Sequence, residues 1–277
     1  MSTNTAAGTG ARKEARPGVG YTLDGNVAVI ELRRPSAGNA LDVTLRHGLF
    51  AALRRVRSDG EQVRSVLLTA QGRHFCFGQD LKEHAQALED KSGSAFAIVR
   101  GEYNPLVEEL HDLKQPVVAA IEGACVGAGL GLALCADLRV AAERARFSTA
   151  FTGIGLAADS GLSGALVDAV GASRAAELML LGDRFDTESA QRWGLVHRVV
   201  PDGFAAAEGL SLARRLAAGP TAAYAEVKAL LRSAGGASLT NVLEREAAAQ
   251  ERLGRTEDHH SAVHAFLAAR QPSFTGR

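Results

Sequence analysis

Segment 72–81, Gly-Arg-His-Phe-Cys-Phe-Gly-Gln-Asp-Leu, is the first of three clusters whose residue types and spacing could do chemistry. It directly follows an apolar stretch typical of a β-strand. Gly78 permits a backbone conformation that exposes successive N–H groups. Asp80 could cap a following helix with its side chain. The cluster therefore fits either a ligand-binding loop or an ordinary strand-to-helix turn.

The second cluster, 122–132, is rich in small residues and reads Glu-Gly-Ala-Cys-Val-Gly-Ala-Gly-Leu-Gly-Leu. It leads from an apolar strand pattern into a helix pattern. The first N–H groups of a helix have no internal partner and lie at the positive end of its dipole, so they can bind an oxyanion. The spacing of Gly127, Gly129 and Gly131 does not match the dinucleotide fingerprint. Close packing of a helix on a sheet is the alternative.

The third cluster, 155–161, contains a single acid, Asp159, after a mostly apolar run. Desolvation in such a setting raises the pKa of a carboxyl group toward the range that suits a general base. An aspartate before Ser-Gly is also typical of a helix N-cap. Both interpretations are compatible with the residues themselves.

Composition excludes several function classes. The 277 residues are 46% hydrophobic, and 31 Lys plus Arg balance 31 Asp plus Glu. This balance argues against a globally basic nucleic-acid binder. There are too few cysteines for a disulfide framework, namely Cys76, Cys125 and Cys135, which predicts a cytoplasmic protein. They also lack C-x-x-C spacing, so we predict no metal site. The sequence has no stretch of about eighteen consecutive apolar residues, so we predict no membrane span.

The elements that must position these clusters alternate between strand and helix. Strand patterns at 27–32, 65–69, 117–121 and 137–141 alternate with helix patterns, which favours layered α/β packing. We predict a disordered tail over 1–17, a core over 18–202 and a mostly helical region over 203–277. Further helices are expected near 81–100, 102–113, 173–182, 187–194, 203–217, 220–233, 238–253 and 257–269, with a short strand at 196–200.

Taken in order, the clusters resemble the signatures of the crotonase (enoyl-CoA hydratase/isomerase) superfamily. Segment 75–81 resembles its F-x-x-G-x-D-[LI] signature, and 116–123 followed by Gly127-Ala128-Gly129 resembles its second signature. Segments 181–196 and 266–274 resemble its helical linker and its tail. The resemblance implies an α/β fold with a ββα spiral core and a C-terminal α-helical trimerisation region. It also implies a homotrimer or a dimer of trimers.

The resemblance further implies a site for an acyl-CoA thioester, with CoA as part of the substrate and no separate cofactor. The backbone N–H groups of Phe77 and Ala128 would form an oxyanion hole that stabilises a thioester enolate. Arg34 would contact a phosphate. The other residues expected to contact CoA lie in the first cluster: Cys76, Gly78, Gln79, Asp80 and Leu81.

Two departures from the family's hydratases favour a different reaction. The positions that match their two glutamates are Gly131 and Phe151, and neither can transfer a proton. Asp159 matches the acid of dienoyl-CoA isomerases and of 1,2-epoxyphenylacetyl-CoA isomerases, and the chain resembles the second group more closely. We therefore predict an acyl-CoA isomerase, acting on a double bond or a ring epoxide, with Asp159 as a proton shuttle.

Two alternatives remain open. Gly131 and Phe151 also fit an acyl-CoA-binding homologue that has lost its chemistry. A hydratase or lyase could instead use another residue as its base, with Glu122 or His84 as candidates. Isotope exchange into an acyl-CoA separates a proton shuttle from a binder.

Overall fold

The structure is a computed structural model, and it describes residues 18–90 and 94–277. The tail predicted over 1–17 lies outside the described residues. So do residues 91–93, which belong to the helical segment predicted over 81–100.

Nine strands lie in the described part of the chain. They are β1 (Val19–Asp24), β2 (Val27–Leu32), β3 (Ser65–Ala70), β4 (Val117–Ile121), β5 (Ala124–Val126), β6 (Leu138–Ala142), β7 (Arg146–Ser148), β8 (Phe185–Asp186) and β9 (Arg198–Val200). Six of them form one twisted sheet in the order β1-β2-β3-β4-β6-β9. In this sheet only β1 is antiparallel to its neighbour; the other pairs are parallel. A second sheet has the order β5-β7-β8.

The central strands are buried on both faces, which explains their nearly continuous apolar sequences. All five residues of β4 are buried, and Leu68 of β3 pairs with Ala119 in the parallel register. Parallel neighbours require crossover connections, and helices supply them.

Ten α-helices lie in the described residues. They are α1 (Val43–Ser58), α2 (Leu81–Glu89), α3 (Asn104–His111), α4 (Ala128–Cys135), α5 (Leu162–Leu181), α6 (Thr187–Arg192), α7 (Ala205–Ala217), α8 (Thr221–Ala234), α9 (Leu239–Leu253) and α10 (Glu257–Leu267). A five-residue π-helix, Val99–Tyr103, leads into α3. None of the described helices is long and apolar enough to cross a membrane.

Two apolar cores cover the two faces of the large sheet. The larger core contains side chains of α1, α3, α4 and α5, and its members include Leu49, Leu106 and Leu132. The smaller core lies between the sheet and α7. Thus α7 packs directly on the sheet, although it lies within the helical region predicted over 203–277.

The structure differs from the sequence-based expectation most clearly around α5. The patterns predict a helix from 173, but α5 begins at Leu162 and continues across a non-helical Gly171, with φ 76°. Glycine tolerates this backbone conformation, so the chain changes direction there and the apolar periodicity is interrupted. The patterns also miss β1. They miss β5, β7 and β8 because these short strands have too few residues to show alternation.

Candidate active site

The three clusters meet around one cavity of about 180 Å³. Asp159 is the only ionisable side chain among the described residues that line it. Larger cavities, of about 510, 450, 420 and 280 Å³, lie elsewhere but contain no residue of the three clusters. The lining consists of Phe77, Gly78, Gln79, Leu81, Val126, Gly127, Ala128, Thr149, Ala150, Phe151, Ile154, Leu156 and Asp159.

Backbone hydrogen bonds fix the first cluster against the second. The Cys76 N–H donates to the Ala124 carbonyl over 3.1 Å, and the Val126 N–H donates to the Cys76 carbonyl over 2.9 Å. Gly78 has φ +82°, and a Cβ there would lie 2.9 Å from the Val126 carbonyl oxygen. The close approach of the two segments therefore requires glycine at 78.

The cavity lining includes both Phe77 and Ala128. Their backbone N–H groups differ in whether a protein acceptor already occupies them. Ala128 is the first residue of α4, and its N–H has no protein acceptor within the described residues. The Phe77 N–H donates to the Gly38 carbonyl over 3.1 Å. Of these two N–H groups, the one of Ala128 is available to an oxyanion in this conformation, whereas a pair of donors was expected.

Asp159 lies on the turn that precedes α5, and it forms part of the cavity lining. Its carboxylate Oδ1 accepts a hydrogen bond of 2.8 Å from the Ser160 hydroxyl. Burial raises the pKa of Asp159 above its ordinary value, and the Ser160 hydrogen bond opposes this rise in part. The side chain does not cap α5, whose N-cap is Gly161 without any side-chain bond. The helix-cap alternative is therefore wrong.

The position of the first hydratase glutamate has no room for a side chain unless Ser160 shifts. A Cβ at Gly131 would lie 2.8 Å from the Ser160 carbonyl oxygen and 2.9 Å from the Ser160 Cβ. At the position of the second hydratase glutamate, the Phe151 ring forms part of the apolar cavity wall. The lining thus contains one carboxylate where acid–base addition of water needs two groups.

Asp80 lies outside the cavity lining and performs a structural task. Its Oδ1 accepts hydrogen bonds from the Lys82 and Glu83 N–H groups, which confirms the predicted helix cap. Burial acts to raise the pKa of Asp80, but the Glu83 N–H, the Arg34 guanidinium and the Lys82 N–H together hold it below its ordinary value. The expected contact of this side chain with CoA has no support in the lining.

Arg34 is also occupied within the protein. Its guanidinium lies 2.6 Å from Asp80 Oδ2 and 3.0 Å from Asp42 Oδ2, and it donates to the Ala40 carbonyl. Two carboxylates already pair with this cation, so it holds the loops together, and its contact with a phosphate stays a prediction.

Cys76 is fully buried beneath the cavity wall. Its thiol donates to the Asn39 carbonyl over 3.1 Å, and burial raises the pKa of that thiol to about 12. A ligand cannot reach this side chain, which corrects the expected CoA contact. Gly78, Gln79 and Leu81, in contrast, line the cavity, and their contact with CoA stays a prediction.

The alternative bases do not lie in the cavity lining. Glu122 accepts hydrogen bonds from the N–H groups of Gly203 and Ala205 at the start of α7. His84 is buried on α2, where its ring contacts Gln79 and Phe96. Within the described part of the chain, no three His, Cys, Asp or Glu side chains are grouped so that they could hold a metal ion.

Sequence reasoning missed the strained residues around the site. Asn39, Ala150 and Ser160 have positive φ angles of 53°, 61° and 53°. Residues with a β-carbon seldom adopt this conformation, and strain of this kind concentrates at functional sites. No local residue pattern marks Ala150 or Ser160, because packing from distant segments imposes their conformation.

Comparison with known proteins places this site in a defined context. The Enoyl-CoA hydratase/isomerase family matches residues 22–277. A Rhodobacter capsulatus protein described as an enoyl-CoA hydratase is 40% identical over 93% of this chain and 97% of its own length. The 1,2-epoxyphenylacetyl-CoA isomerase of Escherichia coli is 36% identical over 92% of this chain and 97% of its own length.

Solved structures have the same architecture. A Mycobacterium abscessus protein described as an enoyl-CoA hydratase/isomerase is 55% identical and superposes with a TM-score of 0.91. The match covers 94% of this chain and 100% of that one.

Proposed function

Since this chain belongs to the enoyl-CoA hydratase/isomerase family and has its crotonase-type ββα fold, we propose that it is an acyl-CoA isomerase with Asp159 as its proton shuttle. The observation that carries the proposal is the composition of the cavity: apolar walls, one carboxylate, and a helix N-terminus at Ala128. Such a site suits moving one proton within a bound substrate.

In the proposed reaction, the Asp159 carboxylate takes a proton from one carbon of the acyl group. The electron pair of that C–H bond moves into the thioester, which becomes an enolate. Protonated Asp159 then returns the proton to a different carbon, so the double bond shifts and no atom is gained or lost. The raised pKa of Asp159 favours this exchange, because it reduces the difference in acidity between the carboxyl group and the substrate carbon.

The enolate oxygen would be held by the free N–H of Ala128, at the positive end of the α4 dipole. The Phe77 N–H would join it once it releases the Gly38 carbonyl, and both donors would then match the oxyanion hole that the family resemblance implies. CoA enters only as part of the substrate.

Cavity size favours a compact acyl group. An apolar cavity of about 150 Å³ holds one benzene ring, and this one measures about 180 Å³. Phe77 and Phe151 supply aromatic walls. We therefore favour acyl groups with one six-membered ring, or short chains of similar volume, over long acyl chains.

Deuterium exchange tests the role of Asp159. Purified protein is incubated in D₂O with phenylacetyl-CoA or 3-hexenoyl-CoA, and label in the recovered thioester is measured by mass spectrometry. Asp159→Asn is expected to bind both thioesters but to lose about 10²–10⁴-fold in exchange rate, the usual loss of a general base. Asp168→Asn, an exposed site on α5, is the matched control.

Three outcomes would overturn the proposal. Near-wild-type exchange by Asp159→Asn would remove the assigned base, and no exchange by the wild-type protein would favour the non-catalytic binder. Hydration of crotonyl-CoA at about 1–10³ per second, a typical enzymatic rate, would establish a hydratase instead. We expect little or none, because Gly131 and Phe151 leave water without its second proton-transfer group.

A further inference from the structure

The turn that carries Asp159 has an unusual backbone. Ser160 and Gly161 are both in the left-handed region, with φ +53° and +71°. Glycine adopts this conformation readily, whereas a residue with a β-carbon resists it. Ser160 therefore has a backbone conformation that glycine would adopt with less strain. This indicates that the serine side chain makes an interaction that glycine could not make.

Ser160 is buried, and its one side-chain hydrogen bond goes to Asp159. The hydroxyl donates to Asp159 Oδ1 over 2.8 Å, and only 2% of the residue is exposed. Gly131 of α4 packs against Ser160 so closely that any Cβ there would lie within 2.9 Å of the Ser160 Cβ. The turn is thus held by packing from α4, and the hydroxyl is held with it.

The other groups near Asp159 do not hold its carboxylate. Tyr103, at the end of the π-helix, has a buried hydroxyl with no hydrogen-bond partner in the described part of the chain, and the charge of Asp159 contributes to its raised pKa. Arg46 lies over the Tyr103 ring, but its guanidinium is paired with Glu83 and Glu102.

We propose that Ser160 is a positioning residue for proton transfer: its hydroxyl holds one oxygen of the Asp159 carboxylate so that the group keeps one orientation toward the acyl cavity. The inference rests on the proposed role of Asp159 as the base. A hydroxyl that donates to a carboxylate also favours the charged form, which is the form that accepts the proton.

Two variants of Ser160 separate the hydroxyl from the backbone. Ser160→Ala removes the hydroxyl and keeps the β-carbon, while Ser160→Gly removes it and also relieves the strained φ. The second variant keeps the test usable if the first fails to fold. Ser163→Ala, at an exposed position three residues away on α5, is the control.

The measurement is the rate of deuterium exchange into phenylacetyl-CoA as a function of pH and of thioester concentration. Both Ser160 variants are expected to lose about 10- to 100-fold in kcat, which corresponds to one hydrogen bond to a charged group, with little change in KM. Loss of the hydroxyl makes the Asp159 carboxylate easier to protonate. The acidic limb of the plot of exchange rate against pH is therefore expected to move to higher pH. A purely structural serine would not move that limb.

Each contrary result has a defined meaning. An inactive Asp159→Asn together with an unmoved acidic limb in both Ser160 variants would overturn this inference alone. Full activity of Asp159→Asn would overturn the proposed function and this inference with it. If Tyr103→Phe moved the limb and the Ser160 variants did not, the positioning role would belong to Tyr103, against the proposal.

Discussion

At the scale of single residues, the site combines a buried carboxylate with glycines that admit close backbone contact. Asp159 is desolvated by its surroundings, and no cation is paired with it in the described structure. A group in that setting reduces the stability of the folded chain when it is charged. The proposed role of Asp159 as a base and the stability of the fold are therefore opposed at this residue.

Asp159→Asn is expected to raise the melting temperature at pH 7. The pKa of Asp159 is higher in the folded than in the unfolded chain, so protonation stabilises the fold and the charged form at neutral pH does not. The advantage of asparagine should shrink as pH falls through the raised pKa. Thermal unfolding of wild type and variant from pH 7 downward checks this. A lower melting temperature for the variant at pH 7, or a gap independent of pH, would contradict it.

Gly131→Ala is expected to destabilise the protein by about 1–3 kcal/mol, the usual effect of overpacking. Alanine favours a helix over glycine, so the loss would come from its Cβ, which meets the Ser160 carbonyl oxygen at 2.8 Å. Urea unfolding measures the change. Gly164→Ala on α5, where the added Cβ meets nothing within 4 Å, is the control and should be neutral or stabilising. Equal effects at the two sites would argue against the contact.

At the scale of elements, the loops around the site are fixed by side chains that lie outside the cavity lining. Asp80 caps α2 and pairs with Arg34, which also pairs with Asp42 at the start of α1. One carboxylate thus joins the first cluster to two helices. The rigidity of the cavity wall depends on this connection.

Asp80→Ala is expected to lower the free energy of unfolding by about 1–2 kcal/mol at pH 7, the effect of losing an N-cap. The pKa of Asp80 is below its ordinary value, so its contribution is present above the unfolded-state pKa and is lost as pH falls through the lowered one. Urea unfolding at pH 7 and in acid should show the difference from wild type narrowing. Asp168→Ala, on the exposed side of α5, should change little.

At the scale of the whole molecule, the C-terminal helices expose apolar side chains. Leu231, Leu239 and Phe266 are 72%, 73% and 82% exposed, on α8, α9 and α10. Large exposed apolar residues grouped on neighbouring elements are typical of a protein–protein interface. This distribution is compatible with the trimer or dimer of trimers that the family resemblance predicts.

We therefore expect light scattering at micromolar concentration to show a trimer or a hexamer. Leu231→Glu combined with Leu239→Glu should weaken that assembly, because charges would then have to be buried in the interface. Leu88→Glu, an exposed apolar position on α2, is the control. A stable monomer of the wild-type chain would contradict the prediction.

The sequence by itself determined the layered α/β class, the central strands and the three clusters that meet at the cavity. Buried parallel strands are long apolar runs, as at Val117–Ile121, and such runs are visible without a structure. Signatures such as 75–81 are local in sequence as well, so the loop that carries Phe77 and Gly78 could be found there.

Only the tertiary structure decided which groups are available at the site. The Gly38 carbonyl accepts a hydrogen bond from the Phe77 N–H, and the carboxylates of Asp42 and Asp80 pair with Arg34. Cys76 is fully buried. The contact of Gly131 with Ser160 likewise joins residues 29 positions apart in the sequence. Hydrogen bonds and close contacts between distant segments have no local pattern, because they depend on where the fold brings the segments together.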